Sequence, residues 1–139
     1  MRSRDRGSAI VEFVVLGSLV FGVLVEAVVL FGSLHRATLA TSAAAREYGR
    51  AVVIADSEQG AVWHGAAVVA QVARNHGLPA GTLSATVEGG RRRGDVLIVR
   101  VRTSVPIAQL PFVGAVWPSF SVPVEASHAV QVDRYRGFG

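Results

Sequence analysis

The chain has no cysteine among its 139 residues. That excludes a disulfide framework, a thiolate metal site and lipid attachment at a lipobox or palmitoyl cysteine. The compartment stays open, because a protein outside the cytoplasm need not use disulfides. Lysine is absent too: all fourteen basic residues are arginine. The depletion runs evenly through every segment, so it reads as coding bias rather than as a binding surface. Charge is sparse, at 17% of residues against 50% hydrophobic, which is apolar for a soluble domain and ordinary for a chain with one membrane segment. Removing residues 1–7 would take away Arg2, Arg4, Arg6 and Asp5 and lower the formal charge from +4 to +2. A nearly neutral chain is poor support for nucleic-acid binding, and no nucleic-acid partner is expected.

What is present is a long apolar run. From Phe13 to Leu34 the only charge is Glu26, and about 20 mostly apolar residues suffice for a helix to cross the bilayer hydrocarbon. The tail before it carries Arg2, Arg4 and Arg6, suited to anionic headgroups, opposed only by Asp5. A carboxylate near the bilayer centre costs about 2.5–3.5 kcal/mol and less near the interface, so Glu12 and Glu26 call for partners or a headgroup-level position. Glu26 follows Glu12 by fourteen residues, which at ~100° per residue returns it to within roughly 40° of the same helical face. Both acids could point to one neighbour. Gly17, Gly22 and Gly32 offer places for close helix approach, although no pair forms Gly-x-x-x-Gly.

The run Gly7-Ser8-Ala9-Ile10-Val11-Glu12-Phe13 places an acid at the fifth position after a small residue that ends a basic tail. This spacing resembles a type IV prepilin leader. Together with the apolar helix, the spaced alanines of Leu39 to Val52 and the run Ala45-Arg46-Glu47-Tyr48-Gly49-Arg50-Ala51, it resembles the TadE-like family of pilin-like proteins from tight-adherence (Flp-type) pilus loci. The resemblance covers about the first 55 residues, and the rest in overall plan. One departure is that Glu26 stands five residues before Phe31-Gly32, where family members often place an acid directly before Phe-Gly. The resemblance implies residues 1–7 as a basic leader, cleavage between Gly7 and Ser8 by an aspartic prepilin peptidase, and pairing of the freed Ser8 amine with a neighbouring subunit's Glu12. It also implies a short N-terminus inside the cytoplasmic membrane, the C-terminal bulk outside, and other pilin-like subunits and assembly machinery as partners. Glu12, Phe13 and Glu26 are the expected helix-contact residues. Arginine counts at the two ends of the run are equal, so the positive-inside rule does not orient it. A cleavable secretory signal ending at Ala43-Ala44-Ala45 is the competing view of the same run, which is longer than the 7–15 apolar residues such signals use.

Beyond the membrane segment, expected at about residues 13–34, the helix should continue as an amphipathic stalk to about Ala55, with Leu39, Ala43, Tyr48 and Val52 at helical spacings. Asp56 and Gln59 suggest an N-cap and its N3 partner. A second helix should end at His76-Gly77-Leu78-Pro79, glycine followed by proline. The period then changes to two. Leu83, Ala85 and Val87 form one face of a strand; Leu97, Val99, Val101 and Thr103 form that of a second, after a hairpin loop from Gly89 to Asp95. Phe120, Val122, Val124, Ala126, His128, Val130 and Val132 form that of a third. Pro106 to Pro118 is an apolar connector expected to pack on the domain or meet a partner. The expected fold is α+β: a transmembrane helix continuing into a stalk (8–55), then a small head (56–139) with one helix on a three-stranded antiparallel sheet.

No catalytic arrangement stands out. His35, His64, His76 and His128 lack any paired-ligand spacing, and His128, on an apolar strand face, fits a hydrogen-bonded core imidazole. No enzyme activity, metal or cofactor is expected. Arg91-Arg92-Arg93 follows a strand without opening a helix, so its glycine-flanked loop reads as a solvated hairpin tip rather than a phosphate cradle. Two functional classes compete: a pseudopilin or minor pilin acting in assembly, and a single-pass anchored module that binds an envelope ligand without polymerising.

Overall fold

A computed structural model describes residues 4–90, 92 and 94–132, with residues 4–8 in backbone only. Helix α1 (Arg4–Ile54) is followed by helix α2 (Glu58–Asn75), strands β1 (Ser84–Gly89) and β2 (Val96–Pro106), a 3-10 turn (Ile107–Gln109), the one-turn helix α3 (Val113–Val116) and strand β3 (Ser121–Gln131). The protein is α+β, and its antiparallel sheet has the order β1-β2-β3. Two compact units form. One joins α1 up to Ser33 with Pro106–Ser121, and the other joins Leu34–Val105 with the chain from Val122. The apolar connector therefore groups with the first part of α1.

In the second unit, small residues let two helices approach closely. Ala40, Ala44, Ala45, Tyr48 and Val52 of α1 share one core with Ala61, Val69, Val72 and Ala73 of α2. Gly65 lies directly against the Tyr48 ring, since a Cβ there would stand 2.5 Å from Tyr48 Cε2. The buried stripe of α1 is Ala37, Ala40, Thr41, Ala44, Ala45, Tyr48 and Val52, while Leu39 is 46% exposed. Of the expected stripe, Tyr48 and Val52 face in and Ala43 is half-buried, whereas Leu39 faces out and Ala37, Ala40, Ala44 and Ala45 face in. Thr41 is buried with its hydroxyl satisfied, its one proton shared between the Ala37 carbonyl at 2.9 Å and the Thr38 carbonyl at 3.1 Å.

α2 starts one residue later than the Asp56 cap predicts. Ser57 is the N-cap, with extended backbone and an Oγ that accepts from the Gly60 N–H at 3.0 Å. Gln59 consequently falls at the second helical position and not the third. At the far end Gly77 adopts φ +66, and the N–H groups of Gly77 and Leu78 donate to Arg74 and Ala73. This glycine-terminated arrangement adds donors to the last-turn carbonyls, which the His76 N–H also reaches.

The sheet follows the expected alternation. Leu97, Val99 and Val101 on the central strand are at most 1% exposed, and the β1–β2 register sets Ala85 opposite Val101 and Val87 opposite Val99. Strand β3 lies at an edge, so Val122 and Val124 on its inner face are only half-buried. Pro123 is tolerated there because an edge strand can lack one ladder donor. Beyond the ladder, the Gly94 N–H donates to Val132 and the Val132 N–H to Asp95.

Candidate functional site

α1 runs unbroken for 51 residues, and one stretch of it is long and apolar enough to cross a membrane. Its early side chains are outward, as with Phe13 at 77%, Phe21 at 68% and Val28 at 72% exposed. An apolar surface of this extent on one element marks a membrane or partner contact.

The two acids in the apolar stretch of this helix, Glu12 and Glu26, have opposite surroundings. Glu12 is exposed, and among the described residues no hydrogen bond or ion pair engages it. Glu26 is 4% exposed. One of its carboxylate oxygens accepts from the Phe112 N–H and the other from the Val113 N–H, the latter at 3.0 Å. These are the N–H groups that open α3, where no intrahelical acceptor exists and a negative charge meets the positive end of the peptide dipoles. The Phe112 ring covers Gly22, one turn earlier: a Cβ at Gly22 would stand 2.6 Å from Phe112 Cε2. Glu26 was expected to face a neighbouring helix, and instead its own chain occupies both oxygens. Nothing in the sequence pairs Glu26 with a connector 86 residues away; the one available hint is an acid needing donors and an apolar segment without charges. Gly7 and Ser8 lie in the first turns of α1, where only the backbone is described.

On the outer face of the sheet, Glu125 accepts from Arg102 at 2.7 Å and pairs with Arg100 at 3.5 Å, while Arg100 Nε also stands 3.3 Å from Glu88. That last pair is close in distance but lacks hydrogen-bond geometry at Nε. The Arg102 hydrogen bond, reinforced by both guanidinium charges, holds the Glu125 carboxyl below the usual carboxylate range. The ladder joins all three strands and fixes which face is which.

An apolar groove of about 320 Å³ lies beside the helix pair, lined by Tyr48, Val62, Val69, Ala73, Leu83 and Ala85 among others. His128 is half-buried near Gly49 and, contrary to expectation, has no hydrogen-bond partner among the described residues. Those residues include no group of histidines and carboxylates able to hold a metal ion. At the hairpin tip Asp95 accepts from the Arg92 N–H at 3.0 Å, while Arg91 and Arg93 lie outside the described residues. Comparison with family models, curated proteins and solved structures finds no match for this chain.

Proposed function

We propose that this chain is a TadE-like, pilin-like protein of the cytoplasmic membrane, a pseudopilin or minor pilin, that takes part in assembling a tight-adherence type IV pilus or a related secretion apparatus. The observation that carries the reading is the contrast between Glu12 and Glu26, the two acids in the apolar stretch of α1. Glu26 is satisfied within the chain, so Glu12 is the acid left in want of an external partner. In the proposed mechanism a prepilin peptidase cuts after Gly7, and the new Ser8 amine meets Glu12 of the next subunit. Within lipid or a dry helical core, an unpaired charge is costly and the correct register neutralises two at once. The apolar helix surfaces supply cohesion, and the acid supplies register.

N-terminal sequencing of the chain recovered from its native membrane tests the first step, with Ser8 as the expected first residue. A mature chain starting after Ala45 would establish a secretory signal in its place. Glu12→Ala should leave processing and membrane insertion intact and reduce subunits captured by helix-to-helix crosslinking. Undiminished crosslinking would defeat the charge-pair mechanism. The groove beside Tyr48 favours a second reading, an anchored module that binds an apolar ligand, because its volume lies at the lower end of that of small-molecule pockets.

A further inference from the structure

The segment from Thr103 to Val124 contains no charged residue, although it connects two strands whose outer faces carry arginine and glutamate. Four of its large apolar side chains are outward, Val116 at 64%, Trp117 at 60%, Phe120 at 57% and Phe112 at 46% exposed, while Ile107 and Leu110 are buried. An ordinary surface connector is polar, because water must solvate what the fold leaves uncovered.

The backbone is as unusual as the side chains. Prolines at 106, 111 and 118 bring no N–H. The N–H groups of Ile107, Leu110, Gly114, Trp117 and Phe120 donate to carbonyls within the segment, and those of Phe112 and Val113 donate to Glu26. Irregular backbone is admitted to hydrocarbon only where protein satisfies its polar groups. At 1.5 Å per residue, Glu26 stands only about 4 Å from the middle of the apolar run of residues 13–34. An element docked on Glu26 and Gly22 is therefore at hydrocarbon depth whenever that run spans a bilayer.

We propose that residues 106–120 form a second membrane-embedded element, inserted among the acyl chains against α1, with Glu26 as its anchor and Phe112, Val116, Trp117 and Phe120 as its lipid-facing surface. The membrane-facing part of the protein is then a helix plus a re-entrant segment. An acid that would be costly alone in lipid becomes the acceptor that lets a broken stretch of backbone enter. The occupant of the exposed surface is lipid, since the surface continues that of the spanning helix within the same compact unit. The inference rests on α1 crossing a bilayer and is independent of cleavage at Gly7 or of polymerisation.

The test uses the full chain in phosphatidylcholine–phosphatidylglycerol vesicles. The chain has two tryptophans, and Trp63→Phe leaves Trp117 as sole reporter. Trp63 is 73% exposed, so the change should not disturb folding, which circular dichroism checks. Trp117 emission should be blue-shifted, lose most of its intensity when the acyl chains are brominated, and resist acrylamide added to the water. As a second measurement, Val116→Cys in this cysteine-free chain should lose reaction with an aqueous maleimide that labels Gln131→Cys readily. A chain that floats with the vesicles while Trp117 responds to acrylamide and not to bromine overturns the proposal and leaves the spanning helix standing. Protection from both quenchers means that protein, such as a second copy, covers the surface, and overturns it equally. A chain that does not float removes the spanning helix and this element together.

Discussion

Replacing Gly65 by alanine sets two opposed effects against each other. In a helix interior, alanine is favoured over glycine by about 0.8–1.0 kcal/mol, and Gly65 sits inside α2 with no need for positive φ. A scale of helix propensities alone therefore predicts stabilisation. The structure predicts the reverse, because the new Cβ would lie 2.5 Å from Tyr48 Cε2 and 2.6 Å from Cζ, where carbon atoms prefer about 3.5–4.0 Å. Tyr48 is 8% exposed and enclosed by the core, so relief requires the ring to swing toward the groove it lines or the helices to part. Overpacking of this kind costs about 1–3 kcal/mol. The net expectation is destabilisation by up to about 2 kcal/mol. Urea unfolding followed by circular dichroism in detergent measures it, and a second background separates the two effects. In Tyr48→Leu the offending ring atoms are gone, and Gly65→Ala should become stabilising by about 0.8–1.0 kcal/mol. Equal stabilisation in both backgrounds would refute the close approach of α1 and α2 at this point.

Val99→Ala, which deletes methyls on the central strand at 0% exposure, should cost about 1–3 kcal/mol. Val124→Ala on the half-buried edge should cost less, and Gln131→Ala on the outer face under about 0.5 kcal/mol, all by the same unfolding assay. Acidification should weaken the sheet through Glu125, whose depressed value means that its contribution is complete above the ordinary carboxylate value of 4.5 and is lost as pH falls below it. Glu125→Gln should flatten that part of the pH–stability profile. Glu26→Ala should ease insertion of α1 by up to about 2.5–3.5 kcal/mol while stripping two N–H groups of their acceptor, at about 1–3 kcal/mol each when buried. Faster hydrogen exchange at Phe112 and Val113, with α1 still membrane-bound, is the expected readout.

Alternation made the sheet readable from the sequence, since Leu97, Val99 and Val101 repeat at the period of a strand with one face buried. The glycine–proline stop of α2 was equally plain, because few other residues adopt the backbone of Gly77. The start of α2 was off by one residue because Asp56 and Ser57 are both competent caps, and only the geometry of the turn selects the hydroxyl. Of the inward stripe of α1, Tyr48 and Val52 were legible and Leu39 was misread, because hydrophobicity points to leucine, whereas close helix packing selects small residues such as Ala40 and Ala44 for what they lack. Glu26 was legible as an acid in need of a partner, but its partners are main-chain groups, and main-chain groups carry no sequence signature. Glu12 is the reverse case: its spacing from Gly7 suggests a role, and among the described residues no hydrogen bond or ion pair engages it.

The bonds from Glu26 to Phe112 and Val113 span 86 and 87 residues. At a synthesis rate of about 5–20 residues per second, Phe112 follows Glu26 out of the ribosome by roughly 4–17 seconds. For that interval the helix exists and its acceptor has no donors. On the proposed membrane reading, a nascent α1 waits in a state the finished protein never visits, and would enter a bilayer at its least lipid-compatible. Truncations that end before the connector would extend that interval indefinitely.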